Sequence, residues 1–279
     1  MLNFLKSNNP IYFIVLSWSA IIFVIVIHFV NDNDNHYLWP LLTHLTINKF
    51  LLYCVYAGVV FFTSLKINFI INKSVFFQKT NYACGVIYAI TIVLISPVHV
   101  AILPTIANLF TVLAIGNLMK IYRNKSCKIE VFNATCWLIL SSITYSYNIF
   151  LIPMVWLTLY FIRPFEWREY FMPIVGFLFI AAYFLTAGFV FDKLFFWLES
   201  WMTIKAFYLN HNFKNWIYFI CIISVGLLIS FRTLYLSYIN SSNRYKKVSW
   251  IILAFLFVVC HNFYLTTFLG DSIVLFCIV

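Results

Sequence analysis

The segment NDNDNHYLWPLLTH, residues 31–44, holds the side chains best suited to chemistry. Asp32 and Asp34 form a D-x-D pair, and His36 and His44 follow. Two carboxylates one residue apart are able to share a divalent cation, or to divide into a general base and a metal ligand, and imidazole completes such donor sets. Asp32 and Asp34 are therefore the candidate catalytic residues, and His36, His44 and His99 the candidate metal ligands. The competing reading is plainer. A three-residue D-x-D is frequent by chance, and NDNDN has the composition of a solvated turn. The loop reading is preferred, so no metal and no cofactor is expected.

A second cluster stands out because only 9% of the chain is charged. In RPFEWREYFMP, Arg163 to Pro173, four charges fall within seven residues: Arg163, Glu166, Arg168 and Glu169. Long apolar runs flank it. Pro164 disfavours helix in the residue before it, so one helix ends there. Glu166 and Glu169 then fall at the start of the next helix, where negative charge suits the dipole. Trp167 and Tyr170 suit headgroup depth. Arg163, Trp167, Arg168 and Glu169 are also the candidate surface for docking a partner protein.

The elements that position these groups follow from composition. The chain has 279 residues, of which 64% are hydrophobic and 21% aromatic, and its mean hydropathy is +0.95. A soluble domain carries about a quarter charged residues, and without them it would expose aggregating apolar patches. Apolar runs near twenty residues point to an all-α polytopic transmembrane bundle rather than a barrel. Nine spans are predicted at 11–30, 50–71, 82–97, 103–120, 131–147, 149–163, 170–191, 215–235 and 249–270, with residues 1–279 forming one transmembrane domain. The first run lacks a cleavage site and reads as an uncleaved helix. Residues 193–210, interrupted by charges and rich in Trp and Tyr, read as an interfacial helix.

Basic residues orient the bundle. With the N-terminus inside, the inner segments hold Lys6, Lys66, Lys73, Lys79, Lys120, Arg123, Lys125, Lys128, Arg163, Arg168, Arg232, Arg244, Lys246 and Lys247; the outer ones hold only Lys49, Lys193, Lys205 and Lys214. That asymmetry accounts for all 18 Lys and Arg, and it predicts a cytoplasmic N-terminus. The net charge of +10 arises from these span-end residues, so nucleic acid is not an expected partner; membrane lipid is. The pairs 82–120 and 131–163 leave room only for two short hairpins, each with proline near its outer turn.

Several chemistries lose support. The seven cysteines contain no C-x-x-C pair and read as buried hydrophobes. No Walker motif, G-x-S-x-G or H-E-x-x-H is present. Lys66 and Arg232 lie near inner helix ends and read as snorkelling anchors. The D-x-D loop resembles the acidic first outer loop of membrane glycosyltransferases that use lipid-linked sugars. Every arginine maps inside, however, which counts against an outer-face polyprenyl-pyrophosphate polymerase.

The stretch from Glu130 to Phe177 resembles a Bacteroidota family of multi-pass inner-membrane proteins of unknown function. The marks are Phe132, Asn133, Ala134, Trp137, Ser141 and Tyr145, then Pro164, Trp167, Arg168, Glu169 and Pro173. The resemblance covers about fifty residues and implies location and architecture, not an activity. The expected function is a non-enzymatic scaffold or accessory subunit of a cell-envelope process, with a membrane-protein partner. The alternatives are a glycosyltransferase-like enzyme using a lipid-linked sugar and, third, a transporter.

Overall fold

A computed structural model describes residues 49–73, 82–95, 98–122 and 126–190, together with single helical positions at 18, 22, 246 and 249. All regular structure among the described residues is helical. In chain order it comprises α1 (Lys49–Lys73), α2 (Ala83–Ile95), α3 (Val98–Lys120), α4 (Lys128–Thr144), a 3-10 helix (Ser146–Leu151), α5 (Met154–Ile162), the single turn α6 (Trp167–Tyr170) and α7 (Met172–Val190). Two stretches, Cys54–Lys73 and Trp167–Val190, are long and apolar enough to cross a membrane, and Asn148–Ile162 is a shorter apolar one. The expected spans at 11–30, 215–235 and 249–270 and the interfacial helix at 193–210 lie outside the described residues.

The helix ends obey local chemistry. Arg163, the residue before Pro164, is extended at φ −129° and ψ 152° and ends α5, as the ring of the following proline requires. Glu166 is extended and opens α6. Glu130 stands in the first turn of α4, where it complements the helix dipole.

Two features differ from the sequence expectation. Helix α3 starts at Val98 rather than near 103 and encloses Pro104. Its 23 residues reach about 34 Å, so this limb is not short. Pro104, in the second turn, lacks the N–H that would bond the Val100 carbonyl, and the helix continues past it. The limb expected as a uniform helix at 149–163 is instead broken. Residues 146–151 form the 3-10 turn, Ile152 and Pro153 interrupt it, and α5 runs for only nine residues. The break stays hydrogen-bonded, with Ile152 N–H donating to Ile149, Val155 to Ile152 and Trp156 to Pro153.

Helix α4 is the hub. It packs on α3 along one side and α7 along another, while α1 holds α2 and α3. The core runs through Ala114, Leu118, Val131, Ala134, Leu138, Val155 and Leu159, all fully buried. Small residues set the closest approaches, as in membrane bundles generally. A Cβ on Gly176 of α7 would sit 3.1 Å from Cβ of Thr135 on α4. Helix α7 turns most of its apolar surface outward: 17% of its span window is buried.

Candidate functional site

Of the described polar residues, Cys127, Arg163 and Glu169 converge where α3 ends, α4 begins, α5 ends and α7 begins. The Glu169 carboxylate is 2% exposed and lies 3.3 Å from the Arg163 guanidinium. The same oxygen, Oε1, accepts the backbone N–H of Cys127 at 3.0 Å. Arg163 also donates through Nη2 to the Ile121 carbonyl at 3.1 Å. One ion pair therefore grips both ends of the α3–α4 loop, from a turn 42 residues further along the chain. A buried carboxylate and a part-buried guanidinium persist here because each also satisfies a backbone group.

A second bond braces the same turn. Met172 and Pro173 begin α7, and the N–H groups of Ile174 and Val175 both reach Phe171. The Tyr170 carbonyl instead accepts the Trp156 indole N–H at 3.1 Å. Indole and carbonyl lock α5 against the start of α7.

The four candidate docking residues thus divide. Arg163 and Glu169 face inward and hold loops together; Trp167 and Arg168 are exposed. Sequence reasoning placed Glu169 in a helix first turn, and it is there. It did not find the Cys127 and Ile121 partners, because nothing in local spacing marks a contact made across 42 residues.

The remaining candidates have no described side-chain placement. Asp32, Asp34, His36 and His44 lie outside the described residues. His99 is in the first turn of α3, with no side-chain placement described. Among the described residues no group of three His, Cys, Asp or Glu could hold a metal ion. Lys66 rests over the Phe62 ring at 5.1 Å, a cation–π contact one turn back along α1.

Two further polar junctions were not anticipated. Asn68 on α1 accepts the Gly85 N–H of α2 at 2.8 Å. Ser141 on α4 donates to the Ala107 carbonyl of α3 at 3.0 Å and accepts from the Asn148 amide at 2.6 Å. The marks of the family resemblance likewise serve packing. Ala134 is fully buried, Trp137 stacks on Phe110 at 5.6 Å and Phe132 meets Phe179 edge-on.

Cys127 offers a direct probe of the loop clamp. It is fully buried. Burial first, and then its hydrogen bond and proximity to the Glu169 carboxylate, push its thiol from the ordinary value of 9.0 up to about 12. The thiolate is the reactive form, so Cys127 is expected to react with maleimide roughly a thousandfold more slowly than an exposed cysteine. Glu169→Ala should restore part of that rate, since burial, the larger cause, remains; labelling kinetics in mild detergent at neutral pH read it. The sign of the linkage follows: the thiol's contribution to stability is full below pH 9 and falls as pH rises toward 12.

Compared with known proteins, the chain matches no family model, no curated protein and no solved structure. Among the described residues, the class that fold and site define is all-helical, with two helical stretches long and apolar enough to cross a membrane and buried polar groups that join helices.

Proposed function

We propose that the chain is a multi-pass protein of the bacterial inner membrane, with nine spans and a cytoplasmic N-terminus, and that it acts as a non-enzymatic scaffold or accessory subunit in a cell-envelope process. One observation carries the reading. The bonds of Asn68, Ser141, Arg163 and Glu169 each run from one helix or loop to another. Groups used in this way rigidify a framework; an active site would aim them at a substrate. The asymmetry of Lys and Arg supports the orientation, and the resemblance to the Bacteroidota membrane family supports the location.

The discriminating experiment is intact-complex mass spectrometry on tagged protein purified from its native membrane in mild detergent. A stoichiometric protein partner is expected. A lone protein carrying a polyprenyl-linked lipid would overturn the scaffold reading in favour of the transferase. In that case Asp32→Ala and Asp34→Ala should abolish activity, whereas a scaffold tolerates both. The transporter reading has one structural feature in its favour, the broken 3-10/α5 limb, since interrupted helices frame transporter sites.

A further inference from the structure

The turn from Pro164 to Phe171 is inverted relative to a turn that faces water. Its apolar side chains point out: Phe165 is 73% exposed, Trp167 61% and Phe171 55%. Its ion pair points in, with Arg163 at 15% and Glu169 at 2%. A turn in water would do the reverse, since charges hydrate cheaply and exposed rings do not. The rings are also already packed among themselves. Trp167 meets Phe171 edge-on at 5.7 Å, and Phe165 leans on Tyr170 at 4.7 Å. They form a preset aromatic ridge.

Two charges remain outside. Glu166 and Arg168 are exposed, and among the described residues neither side chain makes an ion pair or hydrogen bond. A free carboxylate and a free guanidinium two residues apart, edged by aromatic rings, complement a headgroup that carries both an ammonium and a phosphate. Aromatic rings with a polar edge favour the boundary between headgroups and acyl chains.

We propose that this turn binds an amine-bearing zwitterionic phospholipid, with Arg168 on the phosphate, Glu166 on the ammonium, and Phe165, Trp167 and Phe171 at the headgroup–acyl boundary. The inference rests on the membrane reading above and is independent of the scaffold role and of the side on which the turn lies. It also gives the exposed half of the candidate docking surface a lipid occupant in place of a protein.

The test uses the full chain in mild detergent, stripped of endogenous lipid. Phosphatidylethanolamine, phosphatidylcholine or phosphatidylglycerol is added back, and bound lipids are counted by native mass spectrometry for the wild type, Glu166→Ala and Arg168→Ala. Both positions are exposed, and unchanged melting checks that the fold survives. The wild type should prefer phosphatidylethanolamine to phosphatidylcholine, because only the primary ammonium donates hydrogen bonds to Glu166. Arg168→Ala should weaken retention of phosphatidylethanolamine and phosphatidylglycerol by about fivefold. Glu166→Ala should weaken phosphatidylethanolamine alone. Equal retention by all three proteins overturns the proposal. So does loss of a co-purifying protein partner on substitution with lipid retention unchanged, which marks the turn as a protein-docking surface. If no partner co-purifies at all but lipid retention follows the expected pattern, the scaffold reading fails and the lipid contact stands.

Discussion

Glu169→Ala is expected to destabilise the protein by about 3 kcal/mol, the lower end of the range for breaking a buried ion pair by removing one partner. The lower end applies because Arg163 keeps 15% of its surface in contact with solvent. Three losses combine: Arg163 loses the Glu169 carboxylate, the Cys127 N–H loses its acceptor, and the α3–α4 loop is freed at that end. Glu169→Gln should cost less, since its amide oxygen still accepts from Cys127 while the charge is lost. The swap Arg163→Glu with Glu169→Arg sharpens the test. A pure charge pair would be restored by exchange. Here it should not be, because Cys127 N–H needs an acceptor and the Ile121 carbonyl needs a donor, and exchange places each next to the wrong group. Thermal melting of the purified proteins in one detergent measures all four. A wild-type melting point for Glu169→Ala would show that the pair adds nothing, and full rescue by the swap would show that the backbone bonds are incidental.

Gly85→Ala is expected to lose about 2 kcal/mol, against the ordinary preference of helices for alanine. An added Cβ would lie 2.5 Å from the Asn68 amide nitrogen and 2.6 Å from the Ser64 carbonyl oxygen. The side chain could rotate, but the carbonyl belongs to the α1 backbone and cannot yield without moving the helix. Overpacking of this kind costs about 1–3 kcal/mol. Separating the helices also stretches the 2.8 Å bond from Gly85 N–H to Asn68, a buried bond whose loss costs about 1–3 kcal/mol. Alanine's helix preference returns about 1 kcal/mol. Gly58, in the middle of α1, is the internal control: nothing lies within 4 Å of its would-be Cβ. Gly58→Ala should therefore be neutral or stabilising. A clear fall in melting point for Gly85→Ala and none for Gly58→Ala is the expected result. A stabilising Gly85→Ala would mean that α1 and α2 do not touch there.

The Asn68 amide nitrogen adds weight to that junction. Among the described residues it is buried without a hydrogen-bond partner, while its oxygen holds Gly85. A buried donor left unpaired costs about 1–3 kcal/mol, so Asn68 sits at that position against a local penalty. The acceptor it offers to α2 is the compensating gain.

Much of this protein was legible from residue order, for reasons local to the chain. Apolar runs of span length produced α1 and α7 within a few residues of the expected ends, because mean apolarity over about twenty residues leaves little choice but a helix. Pro164 determined the extended Arg163 and the end of α5 by a steric clash with its immediate neighbour. The charged residues of the 120–130 and 163–169 segments were expected to share one face, and Arg163 and Glu169 do meet the 121–127 loop. What tertiary structure alone decided was which charges are inside. Arg163 and Arg168 look equivalent in sequence, as do Glu166 and Glu169, yet Glu169 is buried and Arg163 mostly covered, while Glu166 and Arg168 are exposed. The difference is set by the rotation of the short α6 turn against α4 and by the unpaired backbone groups at Ile121 and Cys127. Those are properties of how helices pack across long separations, and no local spacing encodes them.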